Sequence, residues 1–165
     1  MNGNFDFIAY PFLNDKNKMV DHEILTDKLS STLGHIISMG TPLEKETWWL
    51  MDKVLHLNGS LRGKLAISLD DLRDGQTIYH VLKDRHKVAG FIYPVGNRLA
   101  TQYHIARCEA KIVTRNLYLI QQSGIIVPEI LLDISNLMAN ILFVMSLEVN
   151  RLEGFEEIPF ESRSY

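Results

Sequence analysis

The sequence predicts an all-α protein: a bundle of five helices behind a short irregular N-terminal segment. Three observations carry this. Apolar residues recur at helical spacing in five successive windows. Those windows are bounded by residues that start or stop helices. The connections between them are short, so sequential helices are expected to be antiparallel neighbours. No strand is expected.

Residues 1–19 carry Pro11 and an Asn/Asp/Lys cluster at 14–18, and are expected to be irregular. Helix one is expected from about Asp21 to Met39, with Leu25, Leu29, Leu33 and Ile36/Ile37 at helical spacing and Gly40 as its C-cap. Helix two opens with Thr41-Pro42-Leu43-Glu44, which reads as a capping box with proline at the first helical position. Trp49, Val54, Leu57 and Leu61 form its face. Helix three opens at Ser68 with Asp71 three residues on, and continues through Leu72, Ile78 and Val81/Leu82. Gly90 and Tyr93-Pro94-Val95-Gly96 then break the pattern.

Helix four is expected from an N-cap at Asn97 to about Gln122. Leu99, Tyr103, Ala106, Ala110, Val113, Leu117 and Ile120 alternate steps of four and three. That seam packs at a shallow crossing angle, and the alanines allow close approach. Helix five opens at Pro128 and runs to about Arg151. Its Ile141-Leu142-Phe143-Val144-Met145 run is apolar all round, so it is expected at the centre of the bundle.

The chain has 165 residues, which suits one domain over 1–165. Hydrophobic residues make up 46% and charged residues 22%, enough for a full core. A net charge of −3 gives no electrostatic footprint for nucleic acid. The single cysteine, Cys108, rules out an intramolecular disulfide and fits a reducing, cytoplasmic location. No uninterrupted apolar run reaches membrane-spanning length, so no membrane partner is expected. The opening MNGNFDFIAYPF lacks the basic and apolar regions of a signal peptide.

Arg107, Lys111 and Arg115 stand at i, i+4 and i+8 on helix four. Like charges at that spacing repel by roughly 0.2–0.5 kcal/mol per pair. The row therefore lies in water over snorkelling stems, or it faces an anion or a carboxylate. Asp27, set among Leu25, Leu29 and Leu33, is either an exposed acid or a half-buried partner for Arg107. Asn136 and Asn140, i and i+4 on helix five, make interhelical core hydrogen bonds or touch a ligand. Phe91, just before the Pro/Gly turn, is an aromatic plug or a stacking residue at a ligand cavity. No histidine pair has H-x-x-x-H spacing, so no metal site is expected. Cys108 lacks a base–orienter arrangement and reads as packing. Neither G-x-x-x-x-G-K-[ST] nor G-x-G-x-x-G occurs.

Taken in order, these residues resemble the corrinoid adenosyltransferase family of the propanediol-utilisation type, which makes adenosylcobalamin from ATP and cob(I)alamin. Phe91-Ile92-Tyr93-Pro94-Val95-Gly96-Asn97 is similar to the family's F-I-L-P-G-G-S, and Tyr103-His104-Ile105-Ala106-Arg107 to its L-H-x-A-R. Lys111 and Arg115 follow in register. Ser135 to Val144, with Asn150 beyond, resembles L-N-R-L-S-D-x-L-F-V-x-A-R-x-x-N, and Glu153-Gly154 with Glu156-Glu157-Ile158 resembles the family's ending. Thr26 to Gly34 looks like V-D-E-L-N-S-x-L-G. The resemblance covers roughly residues 20–160.

The resemblance implies a five-helix bundle that assembles as a homotrimer with active sites between subunits, using MgATP as co-substrate and cobalamin as acceptor. It implies that Phe91 displaces the lower axial ligand of the corrinoid, and that Asp27 and Arg107 form an ion pair near the site. It also implies that Lys111, with Arg115, faces the triphosphate, and that Asn136 and Asn140 sit at the nucleotide. Several positions depart from the pattern. The family's N-terminal T-R-T-G-D-x-G-T-T loop is replaced by Asn4 to Pro11, with no glycine between Gly3 and Gly34. Lys111 stands for an arginine, Thr114 for a glutamate, Leu137 for an arginine and Asn140 for an aspartate. Two functions follow from different classes: an active adenosyltransferase with a remodelled nucleotide site, or a non-catalytic homologue that binds a corrinoid, a nucleotide or a protein.

Overall fold

The computed structural model describes residues 5–88 and 90–164. The described residues form five α-helices: α1 (Lys18–Ser38), α2 (Glu44–Gly59), α3 (Leu69–Lys83), α4 (Arg98–Gln122) and α5 (Glu129–Leu152). A 3-10 turn, Phe5–Phe7, lies in the N-terminal segment, of which residues 1–4 fall outside the described residues. Two short strands, β1 (Phe91–Ile92) and β2 (Pro159–Phe160), pair antiparallel.

Local chemistry explains the helix ends. α1 starts earlier than expected because the Asn17 side chain caps it, accepting from the Met19 N–H at 3.0 Å. At Ser68 the expected capping box forms: Ser68 Oγ accepts from the Asp71 N–H, and Asp71 accepts from the Ser68 N–H. Asn97 caps α4 by accepting from the Ala100 N–H at 2.8 Å. The capping box expected at Thr41 does not form. Its hydroxyl instead lies 2.7 Å from Tyr103 Oη and accepts from the Leu43 N–H. Thr47 Oγ1 also lies 2.7 Å from Tyr103 Oη, so the buried phenol is satisfied by α2 and the residues before it.

α4 packs between α1 and α5; α5 packs in turn on α3, and α1 on α2. The seam predicted for α4 is the core contact: Tyr103, Ala106, Ala110, Val113, Leu117 and Ile120 are buried against Leu29, Leu33 and Ile36 of α1 and Ile134, Met138 and Ile141 of α5. α5 is long and apolar enough to cross a bilayer, but most of its apolar stretch is buried between α3 and α4. α2 meets α3 and α5 at Gly75, where an added Cβ would lie 2.8 Å from the Trp49 ring and 2.9 Å from Leu137. A side chain at this position would force the Trp49 ring or the Leu137 methyl group to move.

The strand pair was not foreseen. Each strand has two residues, too few to show a period of two, and their pairing joins segments almost seventy residues apart in sequence. The ladder sets Phe91 opposite Phe160 and Ile92 opposite Pro159. It ties the connection before α4 to the tail after α5.

Candidate functional site

Two contacts set the relation of α4 to α5. The Arg107 guanidinium lies 5.2 Å from the centroid of the Phe143 ring, and Thr114 Oγ1 donates to Ser135 Oγ at 3.1 Å. The helices are therefore antiparallel in register. Moving along α4 from Arg107 to Lys111 to Arg115 follows α5 from Phe143 to Asn140 to Asn136. Lys111 and Arg115 are exposed, as are Asn136 and Asn140. The row of cations thus lies beside a row of amides on an open face, where an anionic ligand can reach both.

This corrects one reading of the asparagines. Among the described residues neither makes an interhelical core hydrogen bond; Asn136 donates to the carbonyl of Leu132 on its own helix at 2.9 Å. Cys108 is likewise exposed, not packed inside.

Arg107 is partly buried, and its Nε has no hydrogen-bond partner among the described residues. One turn earlier His104 is only 4% exposed, with both ring nitrogens unpartnered among the described residues. Burial, with the Arg107 charge added, pushes its pKa down to about 4. The His104 ring centroid is 6.3 Å from that of Phe143. Phe143 therefore contacts both His104 and Arg107. It also borders a cavity of about 180 Å³ lined by Tyr79, Lys83, His86, Val88, Val144 and Leu147. Neither His104 nor Phe143 was singled out from sequence. Their signal was position: His104 precedes Arg107 by three, and Phe143 follows Asn140 by three.

Behind this cavity is a buried carboxylate. Glu148 accepts from Arg151 at 2.8 and 2.9 Å and from Arg85 at 2.7 Å. Those guanidiniums, Arg151 first, hold its pKa down at about 2. His86 Nε2 approaches Glu148 at 3.2 Å, without hydrogen-bond geometry, and burial lowers its pKa despite that neighbour. The network fastens the α3–β1 connection to α5 and so supports the chain leading to Phe91.

Phe91 is 63% exposed and stands outside the core. It occupies the end of β1 and lines none of the cavities described in this section. Tyr93, two residues on, packs edge-on against Phe160 with ring centroids 5.3 Å apart.

Asp27 and Arg107 are not brought together within the chain, which corrects the expected pair. Arg107 turns to α5. The α4 residue that faces α1 is Glu109, which accepts from Thr32 at 2.7 Å and lies 3.4 Å from Lys28. Positions 107 and 109 are about 200° apart around a helix, so they serve opposite flanks. Asp27 is exposed on the other flank of α1. It lines a cavity of about 300 Å³ with Ala9, Tyr10, Glu23, Ile24, Leu55 and Asn58. Arg62 pins the N-terminal segment there: it pairs with buried Glu23, lies 3.8 Å from Asp15 and stacks 4.3 Å from the Phe12 ring centroid. Thr114, which stands for the family's glutamate, is buried and donates to Ala110 and Ser135.

Comparison with solved structures defines the class of fold. The chain matches a variant PduO-type ATP:corrinoid adenosyltransferase from Lactobacillus reuteri, with phenylalanine changed to alanine, complexed with cobalamin and ATP. The TM-score is 0.80 at 16% identity, over 89% of this chain and 88% of that one. A phenylalanine-to-histidine variant from the same organism, also with cobalamin and ATP, matches at 0.80 and 16%, over 88% and 85%. An arginine-to-lysine variant complexed with ATP matches at 0.79 and 17%, over 88% of each chain. The chain therefore has the helical fold of the PduO-type corrinoid adenosyltransferases. By sequence it matches no family model and no curated protein.

Proposed function

We propose that this protein is a corrinoid adenosyltransferase of cytoplasmic location, working as a homotrimer of a single-domain chain. It would transfer the 5′-deoxyadenosyl group of ATP to cob(I)alamin with release of triphosphate. The observation that carries this is the row of exposed Lys111 and Arg115 with half-buried Arg107, alongside exposed Asn140 and Asn136, on the helix that follows the exposed Phe91 in sequence, in a fold whose solved relatives hold cobalamin and ATP.

In the reaction, the cobalt electron pair forms a bond to the ribose 5′ carbon as the C5′–O bond breaks, and triphosphate leaves with the electron pair of the C5′–O bond. The protein contributes positioning and charge. Lys111 and Arg115 would meet the triphosphate, which carries its own magnesium. Asn136 and Asn140 would orient the nucleoside. Phe91 would meet the lower face of the corrinoid. Asp27 and Arg107, on different flanks of one chain, would pair between neighbouring copies and close the site.

One feature of the N-terminal segment favours a second reading, binding without turnover. Where the family has a glycine-bearing phosphate loop, this chain has Tyr10, Phe12 and Asp15 gathered with Glu23 around Arg62. Glycine allows the backbone to approach phosphate closely, and carboxylates repel it. Calorimetric titration with MgATP and with cobalamin, separately and together, tests the binding half. Adenosylcobalamin formed from cob(I)alamin in a single turnover identifies the enzyme. Binding of either ligand without product identifies the second reading, and binding of neither overturns both.

A further inference from the structure

Asn150, near the end of α5, is fully buried and holds three segments at once. Its Oδ1 accepts from the Asn97 N–H at 3.1 Å. Its Nδ2 donates to the Val95 carbonyl at 3.1 Å and to Glu157 Oε1 at 2.9 Å. Its own carbonyl accepts from the Phe155 N–H at 2.9 Å. Asn97 returns a bond to the Val149 carbonyl at 2.8 Å. The turn before α4, the end of α5 and the C-terminal tail therefore meet on one side chain.

The amide orientation is determined by its partners, since a flip would set Oδ1 against two acceptors. The packing around it leaves no slack. Gly96 has φ +134°, and a Cβ there would fall 2.0 Å from Asn150 Oδ1. Beyond the clamp, the Tyr93 N–H donates to the Ile158 carbonyl at 2.9 Å, and β2 carries Phe160 opposite Phe91. Phe91 is carried by β1, whose backbone continues directly into this turn and pairs with β2, so a displacement of the clamp displaces the base of the Phe91 side chain.

We propose that Asn150 is a positioning residue of the corrinoid site: with Gly96 and the Glu157–Phe160 tail, it sets where Phe91 stands relative to α4. This rests on the reading of Phe91 as a corrinoid contact, and the test separates the two. The protein is labelled with 4-fluorophenylalanine, and the Phe91 resonance is assigned by its loss in Phe91→Leu. In Asn150→Asp, which is isosteric but cannot donate, the Phe91 line should shift and broaden while the Phe143 line stays. Adding Glu157→Gln to Asn150→Asp restores a donor facing the new carboxylate and should move the line back.

Phe160→Ala is the second variant, because an exposed residue can be removed without unfolding the chain. It should shift the Phe91 line in the same way. With cob(II)alamin, both variants should lower the fraction converted to the form lacking its lower ligand by severalfold, with MgATP affinity unchanged within twofold. A Phe91 line unmoved in Phe160→Ala and in folded Asn150→Asp overturns the proposal. If the line responds but wild-type protein leaves the cob(II)alamin spectrum untouched, the positioning role stands and the corrinoid reading fails.

Discussion

The outer face of α4 and the flank formed by the N-terminal segment, α1 and α2 are built with opposite charge. The first presents Arg107, Lys111 and Arg115 beside the amides of α5. The second surrounds its cavity with Glu23 and Asp27, and Arg62 pairs with Glu23. Each flank keeps a buried histidine beneath it, and the two are treated differently. Burial lowers the pKa of both, but beside His104 the Arg107 charge adds to the fall, whereas beside His22 the Glu23 charge opposes it. Opposite charges on separate flanks of one chain have no way to pair internally. They suit each other across two copies.

Breaking that complementarity should give the largest effect. Wild-type protein is expected to scatter light as a trimer at micromolar concentration. Asp27→Arg and Arg107→Asp, each placing like charges together, should shift it to monomer, and the double variant should recover assembly. A buried pair broken from one side costs roughly 3–5 kcal/mol, enough to change an association constant by more than a hundredfold. A wild-type monomer, or singles that assemble normally, would show that the two flanks do not meet.

The histidines give the next effect. The folded pKa of His104, about 4, lies below its ordinary value of 6.5. Between these values the unfolded chain binds the extra proton and the folded one does not. The stability is fully present above about pH 6.5 and is lost as pH falls toward 4. At pH 5 the loss is about 2 kcal/mol. His22 and His86 are shifted in the same direction, so His104→Leu should flatten only part of the fall in melting temperature between pH 7 and pH 5. Proton titrations sharpen the comparison of flanks. Arg107→Gln should raise the His104 pKa, and Glu23→Gln should lower that of His22. Shifts of equal sign would mean that local charge does not distinguish the two sites.

Much of the frame was legible because it depends on local chemistry. The Ser68–Asp71 box, the Asn97 cap and the alternating seam of α4 each need only neighbours in sequence, and each is present. What escaped depends on distant partners. Thr41 lost its capping role to Tyr103, sixty-two positions away. The β1–β2 ladder has no local signature. Asp27 and Arg107 stand at the expected places on their helices, but facing direction depends on which helix packs on which flank. That order, with α4 between α1 and α5, cannot be read from spacing. Of the two readings of Asn136 and Asn140, core hydrogen bonds or a ligand contact, the first drew on the apolar run in the second half of α5; the first half has an open edge.

A smaller effect is expected at Lys111. It stands where the family has arginine, and it is exposed on the cation row. Lysine offers a point charge, and arginine a planar fork that engages two phosphate oxygens. One added charge-assisted hydrogen bond contributes roughly 1.5–3 kcal/mol. Lys111→Arg should therefore tighten MgATP by at least about tenfold in calorimetry. Arg62→Lys, on the acidic flank, should leave that affinity unchanged. Equal responses would mean that the phosphates do not choose the α4 face.

The smallest effect on stability belongs to Phe91. A core phenylalanine cut to alanine loses roughly 3–5 kcal/mol, because transfer and cavity terms add. Phe91 is largely in solvent, at the end of a two-residue strand, and its removal opens no cavity in the bundle. Phe91→Ala should therefore melt within a few degrees of wild type, since surface substitutions stay within about 0.5 kcal/mol. The same change should alter the visible spectrum of added cob(II)alamin, because the lower ligand would remain on cobalt. Phe143→Ala is the informative contrast. That ring is partly buried between Arg107, His104 and the α3–α5 cavity, and its loss should lower the melting temperature clearly. If Phe91→Ala destabilises as much as Phe143→Ala and leaves the spectrum as in wild type, Phe91 is a packing residue, and the corrinoid face of the proposed site must be sought elsewhere on the bundle.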